Sequence, residues 1–414
     1  MKILLKSAVS LGVLCLTAGA AFADCGIEGA GSVRILSNDF DVLKVVADGA
    51  KECASDTVTV TSNLTTEHKN LQVPALTISP AEYTVAMVAN GSIAPLLAAD
   101  LVRPLDDLVA LYGQDLLPTQ LIKVDGKTVA IAFSGNSQHL FYRKDVLEEA
   151  GVAVPASYEE VLAAAQVIKD KGILEYPLAA ANKPGWDLGA EFVNMYLGTG
   201  AEFFEPGSAK LAIGGDEGVK TLEMMKALSA YMPPDYMTYD ADEMKAAYLA
   251  GEVAMMDGWG SYSNSVIGPD SPDQDIAVNT VLAAAPTFNG GTIPAAALWW
   301  DGFAIAKNIS DEDAAASFQA MVHGIRPEVA TANPDVAPWL LKGYQPGPAA
   351  AGVIATASAG ARPYPMLPYM GLLHTALSDE IGDYLQGSKT AEQTLADVTA
   401  AYDAAAQQGG FVTQ

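Results

Sequence analysis

The stretch from Val124 to Val161, VDGKTVAIAFSGNSQHLFYRKDVLEEAGVAVPASYEEV, constrains the fold more than any other part of the chain. Val129, Ile131 and Phe133 alternate with small residues, which is the period of a strand. Ser134 to His139 reads as a polar, flexible crossing, and Leu140 to Tyr142 turn apolar again as a second strand. Pro155 then precedes Ser157, and Glu160 follows three residues later, the spacing of a capping box. Val161, Ala165 and Ile168 fall at i, i+4 and i+7, so the capped helix carries one apolar face.

The same alternation of elements recurs on both sides. Val33 to Leu36 and Val58 to Val60 read as strands, with a helix between them that has Val42, Val45 and Val46 on one side. That order opens an α/β layer. Tyr83 to Val88 reads as a third buried strand and Leu105 to Leu111 as a short helix. Beyond the crossing, Val219, Leu222, Met225 and Leu228 mark one helix. Asp311 to His323 forms another, with Ala315, Phe318 and Val322 inward. A last helix opens at Thr390, with Gln393 in capping-box position and Leu395, Val398 and Tyr402 facing the core. No period of 20 to 50 residues recurs, which excludes a solenoid.

The first 23 residues read as a secretory signal. Lys2 and Lys6 give a positive start, Leu11 to Leu16 a short apolar run, and Ala21-Phe22-Ala23 an A-x-A cleavage site. The run is shorter than the ~20 residues that span a bilayer. Cleavage after Ala23 leaves 391 residues, too long for one ordinary core, so two lobes are expected. It also leaves 21 basic against 49 acidic residues, a charge that repels nucleic acid and anionic lipid. Cys15 departs with the signal. Cys25 and Cys53 remain as an even pair in an exported chain, which predicts a disulfide. No metal site or cofactor is expected: the pair lacks C-x-x-C spacing and has no histidine nearby in sequence.

The order of the opening segment, strand, polar crossing, Phe141-Tyr142-Arg143-Lys144-Asp145, helix, Val154-Pro155 and Ser157 to Glu160, resembles family 1 extracellular solute-binding proteins, the periplasmic receptors of ABC importers. Tyr248 to Met256, Ala285 to Gly290, Phe303 to Asn308 and Arg362-Pro363 resemble further elements of that family in the same order. The resemblance implies an α/β, two-lobed periplasmic-binding-protein fold of type II topology, with a ligand cleft between lobes. Lobe 1 would span 24–134 plus 300–345 and lobe 2 139–286 plus 350–414, with hinges near 134–138 and 286–300. It also implies a monomer in the periplasm that delivers a small carbohydrate or polyol to a membrane permease.

Sugar recognition needs flat aromatic faces for the C–H side of a pyranose and fixed polar groups for its hydroxyls. Trp186, Trp259, Trp299 and Trp300 sit at junctions between loops and elements, whereas Trp339 reads as packing. The family places an aromatic in the turn that here is Asp257-Gly258-Trp259-Gly260. Trp259 is therefore the first candidate, with Trp186 and Trp300 next. Trp299 and Trp300 are adjacent and point to opposite sides of a strand, so at least one belongs to the core. The polar candidates are Asn38 and Asp39 after the first strand, His68 after the second, Asn90 after the third, and Asn136 and Gln138 in the crossing. Asp257, Asp301, Arg362 and Tyr364 complete the ring. Maltodextrin receptors of the family carry an aromatic and an acid after the third strand. Val88 to Ser92 lacks both, which points to a smaller sugar, disaccharide or polyol.

Catalytic signatures are poor. The four histidines are scattered, and Gly135 to His139 departs from G-x-S-x-G at its last position. Two carboxylates suffice for a glycosidase, so a glycoside-acting enzyme stays as a lesser alternative. Aromatic walls with Asp257 and Asp301 would also suit a polyamine or quaternary amine.

Overall fold

The computed structural model describes residues 25–412, so the expected signal and its cleavage site lie outside the described residues. Eleven strands occur among those residues: β1 (Gly31–Ser37), β2 (Val58–Leu64), β3 (Val85–Ala89), β4 (Leu121–Val124), β5 (Lys127–Asn136), β6 (Gln138–Arg143), β7 (Leu178–Ala179), β8 (Met255–Trp259), β9 (Thr280–Leu282), β10 (Ala297–Ile305) and β11 (Arg362–Pro363). They form two sheets. The first runs β2-β1-β3-β10-β5-β4, with β11 against β10, and the second runs β7-β8-β6-β9. β1 is parallel to β2 and β3, whereas β10 inserts antiparallel between β3 and β5. Helices cover both sheets, giving two α/β lobes.

Each lobe has its own core. The first gathers Val33, Ile35, Val46, Phe133, Phe303 and Phe318. The second gathers Leu140, Val161, Ile168, Phe192, Leu377 and Tyr402. Full burial of a side chain of this size stabilises by roughly 1.5–3 kcal/mol, so each lobe has ample means to hold its shape. After β10 the helix Asp311–Gly324 packs in the first lobe, and the helices Met370–Leu385 and Ala391–Gln408 return to the second. The buried face of Asp311–Gly324 holds Ala314, Phe318 and Met321. The face expected from the sequence is rotated by about one residue, since Ala315 and Val322 are only half-buried.

The caps follow the sequence. Ser157 accepts from the Glu160 backbone N–H at 3.2 Å. The Glu160 carboxylate reaches one residue further back than a standard box and accepts from Ala156 N–H at 2.7 Å. Thr390 accepts from Gln393 N–H at 3.2 Å.

The first crossing departs from expectation. Ser134 to His139 is no flexible polar loop. β5 runs through Asn136, β6 begins at Gln138, and Ser134, Ser137, Gln138 and His139 are all buried. Tertiary cover is the reason. Gly135 N–H donates to Pro338 O at 2.9 Å, and the His139 ring stacks on Phe141 at 4.4 Å. β5 is likewise buried on both faces over Thr128 to Ser134. A second departure concerns Asp257 and Trp259, which belong to β8 itself and not to a turn after it.

Cys25 and Cys53 are disulfide-bonded, across a sequence separation of 28. The bond ties the start of the described chain to the end of the helix Asp41–Lys51. Replacing both cysteines by serine should lower stability by about 3–4 kcal/mol on the loop-entropy estimate, measured as the urea unfolding free energy of oxidised wild type against the double variant.

Candidate functional site

Strand register decides what reaches the space between the lobes. Across the first crossing, Asn136 pairs with Trp299 of β10 and Gln138 pairs with Trp259 of β8. Two tryptophans are thereby set beside one buried crossing. Asp301 pairs with Ala89 on one side and Ser134 on the other. The register then slips between Asp301 and Gly302, leaving Phe133 as an extra residue in β5. Such bulges re-aim side chains. Only glycine fits after it, because a Cβ on Gly302 would lie 2.4 Å from Ile131 O. Trp186 is positioned differently. Gly185 has a φ of 126°, a conformation that side chains disfavour, and the helix Trp186–Gly198 starts directly after it.

These elements enclose a cleft of about 300 Å³. The first lobe supplies Asn38, His68, Lys69 and Val88, and the second supplies Trp186, Asp187, Trp259 and Tyr262. Asn136, Trp299 and Asp301 enter from the crossing strands. The three indoles touch one another, with centroids 5.8–6.2 Å apart. A layer behind them fixes their positions. The Tyr364 ring stacks on Trp299 at 4.2 Å, and the Tyr364 hydroxyl lies 3.1 Å from His374 Nδ1. His374 Nε2 lies 2.8 Å from Trp186 O, and its ring stacks on Trp186 at 5.0 Å. The cleft is therefore lined by flat aromatic faces together with a set of polar groups.

Lys69, Asp187 and Asp301 are the basic and acidic side chains among the lining residues, with His68 beside Lys69. Burial pushes the Asp301 carboxyl up to about 7, against the opposing pull of its Ser134 hydrogen bond and the Lys69 charge. Enclosure lowers the Lys69 ammonium below its usual value although solvent still reaches it, and Asp301 opposes that shift. Lys69 Nζ lies 5.0 Å over the Trp186 ring, a cation–π contact from one lobe to the other. Burial, then the Lys69 charge, lowers His68 to about 4, so its imidazole is neutral at pH 7. Two buried polar atoms of the cleft residues have no partner, His68 Nδ1 and Trp299 Nε1.

Six of the expected site residues line this cleft: Trp186, Trp259, Asn38, His68, Asn136 and Asp301. Seven lie elsewhere. Asp39 is exposed and pairs with Lys44 at 2.9 Å. Asn90 is buried beneath β10, where its Oδ1 accepts from Trp300 N–H at 2.9 Å and its Nδ2 donates to Leu298 O and Tyr364 O. Gln138 bonds Glu191 and Asn194 inside the second lobe, and Asp257 accepts from the Tyr158 hydroxyl there. Arg362 donates to Ala201 O at 2.9 Å and pairs with Glu202. Tyr364 stands behind Trp299, and Trp300 packs against the first core. Of the adjacent pair, Trp299 is the one that lines the cleft.

Lys69, Asp187 and Tyr262 are not among the residues expected from the sequence, and of the adjacent pair the sequence ranks Trp300 above Trp299. Strand alternation offered Trp299 and Trp300 equally. Lys69 follows His68 directly at the start of the helix His68–Thr77, and it takes tertiary placement to bring its ammonium over Trp186.

Two α/β lobes joined by crossing strands around such a cleft make up the two-lobed periplasmic-binding-protein fold. A family model described as bacterial extracellular solute-binding protein matches residues 57–322, and the chain belongs to that family. It is 26% identical over 159 residues, 36% of its own length, to a probable sugar-binding periplasmic protein of Rhizobium meliloti, and the match takes in 38% of that relative. Among solved structures, maltose-bound T. maritima MalE3 superposes with a TM-score of 0.75 at 19% identity, covering 90% of this chain and 99% of that one. An ABC transporter solute-binding protein of Agrobacterium vitis with bound D-mannitol gives 0.74 at 22% identity, covering 93% and 100%.

A raised carboxyl holds its proton in the folded state at a pH where the unfolded chain has released it. The Asp301 contribution to stability should therefore fall as pH rises from about 4, the unfolded value, towards 7. Asp301→Asn should flatten that part of the profile. Urea midpoints of ligand-free wild type and variant, compared at pH 5 and pH 8, measure it.

Proposed function

We propose that this protein is a periplasmic receptor that captures a small sugar, oligosaccharide or polyol by closure of its two lobes and delivers it to the permease of an ABC importer. The observation that carries this reading is the mixed aromatic and polar lining of the cleft. Three tryptophans line it, and Asn38, His68, Asn136 and Asp301 face the same space. A pyranose or polyol has the matching character, with C–H groups for the indoles and hydroxyls for the polar side chains. A hydroxyl both donates and accepts, so it can serve the unpartnered Trp299 N–H, a donor, as well as Asp301, an acceptor. The mannitol bound to the Agrobacterium vitis protein and the maltose bound to MalE3 support a polyhydroxylated ligand.

Lys69 weighs against the amine alternative. Its ammonium already lies over Trp186, the place a quaternary amine would take, and like charges repel there. Ligand bound to both lobes favours the closed arrangement over the open one, and the hinges are assigned to 134–138 and 286–300. Lobe 1 is read as 24–134 plus 300–345 and lobe 2 as 139–286 plus 350–414. The protein is read as a monomeric binder without a cofactor, exported by the signal and cut after Ala23. Steady hydrolysis of a glycoside panel by purified protein would reverse the assignment as a binder.

A ligand that binds only the folded state raises stability by RT ln(1 + [L]/Kd), about 2.7 kcal/mol at a hundredfold excess over Kd. Thermal melts against sugars, polyols and amines should shift upward for members of the first two classes. Shifts with amines alone would sink the proposal.

With such a ligand in hand, Trp259→Ala should weaken binding by about 1–3 kcal/mol, roughly tenfold to a hundredfold, with the fold retained. Titration calorimetry reads the affinity, and an unchanged value would remove Trp259 from the site.

A further inference from the structure

The second lobe contains an internal cavity separate from the cleft. Its volume is about 40 Å³, room for about three or four waters at roughly 10–15 Å³ each. Met195, Met225, Met232, Met255 and Met256 line its apolar part. At its polar end stand Glu191 and Asp257, which are 7% and 8% exposed, with Asn182 and Tyr158 beside them.

One of the two carboxyls is incompletely bonded, while the Ala181 backbone and Gln138 both bond Glu191. Asp257 Oδ2 accepts from the Tyr158 hydroxyl at 2.5 Å, and Asp257 Oδ1 has no partner. Glu191 Oε1 accepts from Gln138 Nε2 at 2.9 Å. The Asn182 amide nitrogen is directed to Met232 Sδ at 3.2 Å. Among the described residues, neither carboxyl forms an ion pair with a cation. The charges that act on Glu191 come from Asp257 and Asp187, both acidic, and the neighbour facing Asp257 is the Tyr158 hydroxyl.

Two ionised carboxylates enclosed in such a space are strongly disfavoured unless something neutralises one of them. A divalent cation such as calcium needs six or more oxygen ligands, whereas most of this cavity is thioether and aliphatic. A proton needs only one oxygen to bind and a water to bridge. Burial, then the Asp257 charge, holds Glu191 well above the usual carboxyl range, and burial pushes Asp257 up to about 6.

We propose that Glu191 and Asp257 form an internal acid site that holds one shared proton, with cavity water linking the protonated Glu191 to the unpartnered Asp257 Oδ1. The site braces the strands that leave the crossings. Asp257 lies in β8 two residues before Trp259. Gln138, bonded to Glu191, opens β6 and also accepts from Asn194 Nδ2 at 2.5 Å. Asn194 Oδ1 in turn accepts from the N–H of Ala297, the first residue of β10. The inference holds whatever ligand the cleft takes.

Infrared difference spectroscopy of the ligand-free mature protein tests it. Wild type at neutral pH should show the carbonyl band of a buried carboxylic acid. The band should persist in Asp301→Asn, which removes the raised carboxyl of the cleft, and should vanish when Glu191→Gln is added to that variant. Sodium or potassium added at constant ionic strength should leave the urea midpoint of wild type unchanged. A missing band in wild type, a band lost in Asp301→Asn, or a midpoint that climbs with either cation would each overturn the proposal, the last by showing that a metal ion neutralises the pair. Should Glu191→Gln fail to fold, the wild-type spectrum, the Asp301→Asn spectrum and the cation titration still decide.

Discussion

The structure depends on one nearly continuous extended segment, β5 through Ser137 into β6, that belongs to both sheets. β10 pairs with its first half and β8 with its second. Buried backbone must have hydrogen-bond partners, and here each sheet satisfies one half. The same pairing that joins the lobes therefore also fixes which residues flank the junction. Trp299 comes opposite Asn136 and Trp259 opposite Gln138 as a consequence of register, and a one-residue slip would turn those side chains to the other face. The joint and the cleft are built from the same strands.

A second layer keeps the aromatic wall in shape. Tyr364 and His374 lie behind Trp299 and Trp186 and connect them through stacking and hydrogen bonds. His374 is buried and lowered to about 4, chiefly by desolvation, so a neutral ring packs there without an uncompensated charge. This arrangement explains why Tyr364 belongs with the site without lining it. Asn90 has a similar part on the other side: it bonds the backbone of β10 at Leu298 and Trp300 and so holds the strand that carries Trp299 and Asp301. Several polar residues that local sequence suggests for ligand contact are used to fix backbone.

The balance of charge in the cleft differs from that of the whole chain. The protein is strongly acidic, and the cleft sets one lysine against Asp187 and Asp301, of which Asp301 has a raised value that leaves it partly protonated near neutrality. Net charge acts over long distances and is screened within about 8 Å at physiological salt. Inside an enclosed space the local charges dominate. The mean charge of the sequence therefore carries little information about the ligand.

The sequence by itself determined the elements and their order. The period of Val129 to Phe133, the Ser157 and Thr390 caps, and the apolar faces that include Ile168 and Tyr402 are local signals, and local sterics and hydrogen bonds suffice to express them. It also presented Cys25 and Cys53 as a pair, because no other cysteine remains in the expected mature chain. Six of its thirteen candidate ligand contacts line the cleft. Tertiary structure decided the rest. Ser134 and Ser137 to His139 are polar in sequence but buried, because Pro338 and the flanking strands cover them. Trp299 and not Trp300 lines the cleft, because the pairing of β10 sets which face each residue takes. Lys69 enters the cleft because a helix of one lobe brings its ammonium over a tryptophan of the other. These contacts join residues more than a hundred positions apart, and no short-range pattern encodes which face of a strand will meet the opposite lobe.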